Sequence, residues 1–143
     1  MPTRKASAVW EGGLQNGKGT FRGSESTGIT GEYSVGSRFA DAAGSNPEEL
    51  LAAAEAACFS MFLSGQLEKN GTPATRVDTE AACTVEKVGE GPKITTMKLT
   101  VRATVPNIDN AKFQELVAVS KDGCPVSGAI KGNVDLQVEA TLA

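Results

Sequence analysis

A long apolar helix is the segment that most restricts how this chain can fold. Asn46 and Pro47 are typical of a helix start, two glutamates follow in the first turn, and Asn70-Gly71 marks the end. Between these signals, residues 50–63 are apolar nearly all round. A helix without a polar face is typical of a protein interior, so we expect these roughly six turns to be buried in the middle of the fold.

Segments that alternate between apolar and polar residues follow this helix. Residues 77–88 and 94–105 are joined by a turn at 89–92, which predicts a β-hairpin with Cys83 facing the core. The other predicted elements are strands at 6–10, 19–22 and 32–39, a helix at 109–120 broken at 121–123, a short helix from Cys124-Pro125 to 130, and a strand at 134–142. Residues 1–143 are expected to form a single domain.

The charge balance excludes some classes of partner. The net charge is −3, with 22% charged residues, so the chain lacks the basic excess that binding to a phosphate backbone requires. No apolar run reaches the roughly 18 residues of a membrane span, and the first residues lack the apolar middle of a signal peptide. We therefore expect a cytoplasmic protein with no nucleic-acid partner and no membrane partner.

Two cysteines carry the chemistry in a chain without histidine. The absence of histidine excludes Cys-His and Ser-His couples and imidazole metal ligands. Cys58 and Cys124 need none of these for thiol redox chemistry. In a reducing cytosol, a disulfide between them is most often transient and catalytic. The alternative is that all three cysteines, Cys83 included, are small buried hydrophobic residues.

The local surroundings distinguish Cys58 from Cys124. Cys124 precedes Pro125, which favours the first helical position, so we expect backbone N–H groups to point at the Cys124 sulfur, a placement typical of reactive thiols. Cys58 lies too far into the long helix for this effect, so a cation must stabilise its thiolate. Arginine keeps its charge when buried, and the candidates, in order, are Arg38 and Arg22.

Two glutamates on the long helix could influence Cys58. A bidentate pair with Glu48 would hold Arg38, but at about 1.5 Å per residue Glu48 lies about 15 Å from Cys58 along a straight helix. Either the helix is broken between them or Glu48 serves the cysteine of a second chain. We favour the second chain, because an apolar helix suits a two-fold interface; helix-start electrostatics alone is the alternative for Glu48. Glu55 would raise the pKa of Cys58 and is expected to face water.

The motifs together resemble a known family. Residues 44–61 (GSNPEELLAAAEAACFSM) and 123–127 (GCPVS), with WEGG at 10–13 and GKGT at 17–20, are similar to the osmotically inducible protein C (OsmC) family of peroxidases. The resemblance covers almost the whole chain. It is greater to the OsmC branch than to the organic hydroperoxide resistance (Ohr) proteins, because Arg38 lies just before the helix.

The resemblance implies the fold and the roles of the site residues. The implied fold is α+β, with antiparallel sheets wrapped around two central helices in an intertwined homodimer with shared active sites. By analogy, Cys58 is the peroxidatic cysteine, Cys124 is the resolving cysteine, and Arg38 with Glu48 activates Cys58. Glu55 departs from the family pattern.

The implied reaction is the reduction of organic hydroperoxides, and more weakly of hydrogen peroxide, to alcohols through a Cys58 sulfenic acid and a Cys58–Cys124 disulfide. An apolar pocket lined by Phe39, Phe59 and Phe62 would hold the substrate, and an external dithiol reductant would reset the protein, with no metal, flavin or haem cofactor. The alternatives are a non-catalytic thiol redox switch or hydrophobic-ligand binding protein, and a structural stress protein with inert cysteines.

Overall fold

The chain contains both helices and strands in a computed structural model that describes residues 1–24 and 28–143. These residues form two compact units, 1–50 and 51–143. The elements in chain order are β1 (Ala6–Glu11), β2 (Lys18–Gly23), β3 (Thr30–Tyr33), α1 (Val35–Phe39), α2 (Pro47–Lys69), β4 (Arg76–Val88), β5 (Gly91–Thr104), α3 (Asn110–Gly123), α4 (Pro125–Ile130) and β6 (Asp135–Leu142).

The first unit contains an antiparallel sheet of order β1-β2-β3. The ring of Tyr33 lies between those of Trp10 and Phe21, with ring centroids 5.5 Å and 6.0 Å away. A Cβ on Gly19, the β2 residue paired with Tyr33, would collide with the Tyr33 ring. Glycine at this position therefore lets the aromatic ring lie across the strand.

The predicted strand at 32–39 is wrong beyond Tyr33, because a helical turn, α1, begins at Val35. Ser34 caps this helix: its Oγ accepts a hydrogen bond from the Ser37 N–H (3.1 Å), and the Ser37 Oγ accepts one from the Ser34 N–H (2.9 Å). Such a capping box offers the backbone local partners that compete with strand pairing. As a result, Arg38 lies in the last turn of a short helix rather than on a strand.

The second unit contains a sheet of order β4-β5-β6. The predicted hairpin is confirmed, because β4 and β5 pair antiparallel along their whole length, with one register shift at Thr84/Val85. β6 pairs with β5 in parallel, so this sheet is mixed. A parallel neighbour requires a crossover connection, and α3 and α4 lie in the connection between β5 and β6.

One face of α2 packs on this sheet and on α3 to form the core of the second unit. The fully buried side chains are Phe59, Leu63 and Leu67 of α2, Met97 and Leu99 of β5, and Phe113 of α3. α3 extends through the predicted break at 121–123 and ends at Cys124. The helix ends there because Pro125 favours an extended backbone at the residue before it, and Cys124 has φ −61° and ψ 125°.

The opposite face of α2 is not buried, contrary to the sequence-based expectation. Ala53, Ala57 and Met61 form an apolar stripe on the surface of this chain, and Met61 is 75% exposed. α2 has 23 residues, and an 18-residue window within it has a mean hydropathy of 1.4, so the helix also has the length and composition of a membrane span. Its other face, however, lies in a protein core. Within a single chain, one sheet and α3 cover only one side of the helix.

Replacing Ser34 by alanine is expected to lower the free energy of unfolding by about 1 kcal/mol, the usual cost of losing an N-cap side chain. Chemical denaturation of both proteins measures the difference. Ser7→Ala, at an exposed position of β1, is the control and should change stability by less than about 0.5 kcal/mol. Equal losses in the two variants would contradict a specific role for the cap.

Candidate active site

The sulfur atoms of Cys58 and Cys124 lie 2.8 Å apart. Both residues are unbonded thiols, although the separation is only about 0.8 Å longer than a disulfide bond of roughly 2.05 Å. Cys58 lies in the middle of α2 and is partly exposed, whereas Cys124 is 1% exposed. Of the two sulfurs, that of Cys58 is therefore the one that a solute reaches first.

The α3–α4 junction fixes the position of Cys124. The Cys124 N–H donates to the Ser120 carbonyl (3.0 Å), and its own carbonyl accepts from the Gly128 N–H (2.9 Å). The preceding glycine is also needed: a Cβ on Gly123 would lie 2.5 Å from Cζ of Phe62, so only glycine lets this ring pack against the backbone beside Cys124. The GCPVS motif at residues 123–127 identified Cys124 in the sequence, although the spacing of the cysteines alone did not reveal its role.

The surroundings of Cys58 raise the pKa of its thiol. Burial is the largest cause, followed by the hydrogen bond with Cys124 and by the charges of Cys124 and Glu55, whereas a hydrogen bond from the Val126 N–H lowers the pKa. The sequence-based expectation assigned such backbone donors to Cys124 and is wrong, because the Cys124 side chain makes no capping hydrogen bond. A backbone N–H at the start of α4 instead stabilises the Cys58 thiolate.

Glu55 is buried in this site, not in water as expected. It is 0% exposed; its Oε1 accepts a hydrogen bond from Ser127 Oγ and lies 4.0 Å from Cys124 Sγ. Its Oε2 is buried without a hydrogen-bond partner in the part of the chain that the structure describes. The helical spacing contained this signal, because Glu55 shares the core-facing stripe of α2 with Phe59 and Leu63.

Arg38 and Glu48 form an ion pair in the first unit. Arg38 Nε donates to both carboxylate oxygens of Glu48 (3.1 and 3.2 Å), and Nη2 donates to Oε1 at 2.7 Å. Glu48 is 6% exposed, and the guanidinium carbon of Arg38 lies 5.0 Å from the centroid of the Phe39 ring. The arginine is therefore held at its nitrogen edge and along its face. Arg22, the second candidate cation, is exposed on β2.

The segment between α1 and α2 holds the ion pair in place. Ser37 Oγ donates to the Ser45 carbonyl (2.8 Å), and the Ser45 N–H donates to the Glu32 carbonyl (2.9 Å). At the start of α2, Asn46 Oδ1 accepts from the Glu49 N–H at 2.8 Å, as expected for a capping residue. These bonds connect the end of β3, α1 and the first turn of α2, which carry the two charged side chains.

α2 runs without a break from Pro47 to Lys69. This eliminates the broken-helix alternative, and it keeps Glu48 about 15 Å from Cys58 along the helix axis, at about 1.5 Å per residue. The structure thus brings Cys58 together with Cys124, and Arg38 together with Glu48, within separate units.

The three phenylalanines of the expected pocket differ in burial. Phe59 is fully buried in the core of the second unit, whereas Phe62 is only partly buried and Phe39 of the first unit is 52% exposed. The i, i+4 and i+8 spacing of Phe59, Leu63 and Leu67 explains its burial. Cys83 packs partly buried against the core. Among residues 1–24 and 28–143, no cluster of three His, Cys, Asp or Glu side chains is arranged to hold a metal ion.

Comparison with known proteins identifies the family. The family model described as OsmC-like protein matches residues 40–139, and the chain belongs to this family, as its motifs predicted. Peroxiredoxin OsmC of Escherichia coli (strain K12) is 40% identical over 138 residues, which are 95% of each chain. Organic hydroperoxide resistance protein OhrB of Bacillus subtilis (strain 168) is 34% identical over 97 residues, 67% of this chain and 69% of OhrB.

A solved structure confirms the fold. The crystal structure of OhrB of Bacillus subtilis superposes with a TM-score of 0.76 at 28% sequence identity, covering 96% of this chain and 98% of that one. The α+β class and the OsmC-like fold expected from the sequence are therefore correct. The names of these relatives refer to peroxide chemistry in those proteins.

Oxidation of the reduced protein with diamide is expected to give one disulfide, between Cys58 and Cys124, because their sulfurs are already nearly within bonding distance. Peptide mass spectrometry after alkylation identifies the bond, and Cys83 should be recovered in alkylated form. A disulfide that contains Cys83, or one that links two chains, would contradict this geometry.

Proposed function

We propose that this protein is a cysteine-based peroxidase, an oxidoreductase that reduces organic hydroperoxides to alcohols. It also reduces hydrogen peroxide, but more weakly. The observation that carries the proposal is the 2.8 Å separation of the Cys58 and Cys124 sulfurs. Peroxidase chemistry needs a thiol that a peroxide can reach and a second thiol that traps the product. Membership of the OsmC-like family and the names of the relatives support the same assignment.

The exposure of the two cysteines supports their roles. Cys58 is partly exposed and receives the Val126 N–H hydrogen bond, while Cys124 is buried behind it. Cys58 is therefore the peroxidatic cysteine and Cys124 the resolving one. This order agrees with the family resemblance and replaces the opposite order that local electrostatics alone would have favoured.

The reaction proceeds in two chemical steps. The Cys58 thiolate attacks the terminal oxygen of the hydroperoxide, the O–O bond breaks, and the alkoxide takes a proton and leaves as an alcohol. The sulfenic acid on Cys58 is then attacked by Cys124: the S–O bond breaks, a disulfide forms, and the oxygen leaves as water. An external dithiol returns both cysteines to thiols by disulfide exchange. These steps use no metal, flavin or haem.

A second copy of the chain completes each site. Within one chain, burial and neighbouring groups raise the Cys58 pKa, so the thiolate needs a cation. The Arg38–Glu48 pair of a partner subunit supplies this cation, and the leaving alkoxide is stabilised by the same guanidinium. The exposed stripe of Ala53, Ala57 and Met61 supports an intertwined homodimer, because an uncovered apolar helix face suits a two-fold interface.

The same proposal includes the setting of the reaction. Residues 1–143 act as a single OsmC-like peroxidase domain in the cytoplasm, without nucleic-acid or membrane partners. An apolar substrate wall favours bulky organic hydroperoxides, because burying an organic group contributes about 25 cal/mol per Å². A non-catalytic thiol switch would use the same sulfur geometry, so turnover decides between the two functions.

Replacing Cys58 by serine is expected to abolish the consumption of cumene hydroperoxide, because the attacking sulfur is lost. Cys124→Ser should allow a single turnover followed by over-oxidation of Cys58 to sulfinic acid. Peroxide loss is measured over many turnovers with dithiothreitol as reductant. Cys83→Ala is the matched control and should cycle like the unmodified protein.

Four results would contradict this assignment. Wild-type peroxide consumption by Cys58→Ser would exclude Cys58 as the nucleophile, and sustained cycling of Cys124→Ser would exclude Cys124 as the resolving residue. A single oxidation event without turnover would favour the redox switch. Slow alkylation of Cys58 at neutral pH would favour a structural protein with inert cysteines.

Replacing Arg38 by methionine is expected to raise the Cys58 pKa, and so to slow peroxide attack at neutral pH by about 10- to 1,000-fold, the effect of removing a nearby opposite charge. A higher pKa leaves less thiolate at neutral pH, so the rate should recover as the pH rises. Stopped-flow pH profiles measure the shift. Arg102→Met, at an exposed position of β5, is the control, and an unchanged profile for Arg38→Met would exclude Arg38.

Mixed dimers test whether the site is shared. A dimer of one Arg38→Met chain and one Cys58→Ser chain contains one intact site if Arg38 acts on the partner's cysteine, and none if it acts on its own. Recovery of the wild-type pH profile in half of the sites is therefore expected. Failure to recover it in verified mixed dimers would exclude a shared site.

A further inference from the structure

Glu55 is a buried carboxylate that the proposed reaction does not use. An unpaired buried carboxylate oxygen is costly, and Glu55 Oε2 is such an atom among the residues that the structure describes. The negative charge of Glu55 also raises the Cys58 pKa, which opposes the first chemical step. A residue that costs stability and hinders peroxide attack calls for a role elsewhere in the reaction.

We propose that Glu55 is a catalytic residue of the second step, in which its carboxylate accepts the thiol proton of Cys124 and passes it to the oxygen that leaves Cys58. This inference rests on the proposed peroxidase function and extends it to a residue that departs from the family pattern. Glu55 acts as a base and then as an acid within one step, so its carboxylate ends in the protonation state in which it began.

The contacts of Glu55 fit a proton acceptor for Cys124. Glu55 Oε1 lies 4.0 Å from Cys124 Sγ, and Ser127 Oγ donates to the same oxygen. Cys124 and Ser127 lie one turn apart at the start of α4, so this short helix presents both groups to one carboxylate. Ser127 is 2% exposed and Glu55 is 0% exposed, which holds the carboxylate in place and keeps bulk water away from it.

Glu55 also lies near the oxygen that leaves Cys58. Residues three positions apart on a helix are neighbours on its surface, with Cβ atoms about 5 to 6 Å apart, and Glu55 and Cys58 have this spacing on α2. At this distance, the charge of Glu55 raises the Cys58 pKa. A carboxyl group between the two cysteines thus borders both the proton that must leave and the oxygen that must receive it.

The chemistry of disulfide formation requires such a group. A thiol attacks a sulfenic acid as its thiolate, and Cys124 is 1% exposed, so solvent is poorly placed to take its proton. The chain has no histidine. Cys124 loses its proton to Glu55, its sulfur bonds to the Cys58 sulfur, the S–O bond breaks, and the departing hydroxide takes the proton from Glu55 to become water.

The test measures the two chemical steps separately in Glu55→Gln. Rapid mixing of the reduced protein with one equivalent of cumene hydroperoxide, followed by quenching with an alkylating agent, gives the rates of Cys58 oxidation and of disulfide formation. We expect disulfide formation to slow by at least about 100-fold, the usual contribution of a general base, with sulfenic acid accumulating in a form that dimedone traps. Cys58 oxidation should be as fast or faster, because a negative charge beside it is gone.

Two further variants separate proton transfer from packing. Glu68→Gln changes an exposed glutamate on the same helix and is expected to leave both steps at the wild-type rate. Glu55→Ala creates a cavity, and added formate should restore part of the rate of disulfide formation by replacing the missing carboxylate. Slow disulfide formation in Glu55→Ala without any rescue by formate would mean that Glu55 only positions Cys124, and would overturn the proposal.

Wild-type disulfide formation in Glu55→Gln would also overturn the proposal while leaving the peroxidase assignment intact. The converse is distinguishable: if unmodified protein does not reduce hydroperoxide at all, the peroxidase function itself fails. Oxidation by diamide provides a folding control for each variant, because it forms the Cys58–Cys124 disulfide without passing through a sulfenic acid.

Discussion

The buried contact between the middle of α2 and the α3–α4 junction is the interaction on which the site depends. Pro125 ends α3 and begins α4, and this change of direction places the Cys124 sulfur 2.8 Å from that of Cys58. Phe59 and its neighbours hold α2 against the sheet on the same side of the helix. The thiols therefore meet as a result of core packing, since no disulfide joins them.

In the proposed reaction, the ion pair in the first unit presents a cation. A guanidinium bound by both carboxylate oxygens and packed on an aromatic ring has few alternative orientations. Glu48 belongs to α2, as Cys58 does, but a continuous helix separates them along its axis. This separation is the reason why we propose that the ion pair acts on the Cys58 of a second chain, with the exposed apolar stripe on α2 as the contact surface.

Much of this arrangement could be predicted from the sequence, because it depends on local signals. Capping residues and proline gave the bounds of α2, alternation gave the hairpin, and the motifs identified the family. The predictions that failed concern groups that could take more than one hydrogen-bond partner. Ser34 and Ser37 bond to each other instead of extending β3, and Val126 donates to Cys58 instead of Cys124. Glu55 was assigned to solvent on its charge, although its helical position placed it on the core face.

The distance between the two cysteines along the chain has a mechanical consequence. Joining them closes a loop of 66 residues, and in the chain-entropy model a cross-link of this span stabilises a folded protein by about 4 kcal/mol. The loop contains the second half of α2, the entire hairpin and α3. Each catalytic cycle would therefore alternate between a less stable reduced form and a more stable disulfide form, and thermal denaturation alone would reveal which redox form is present.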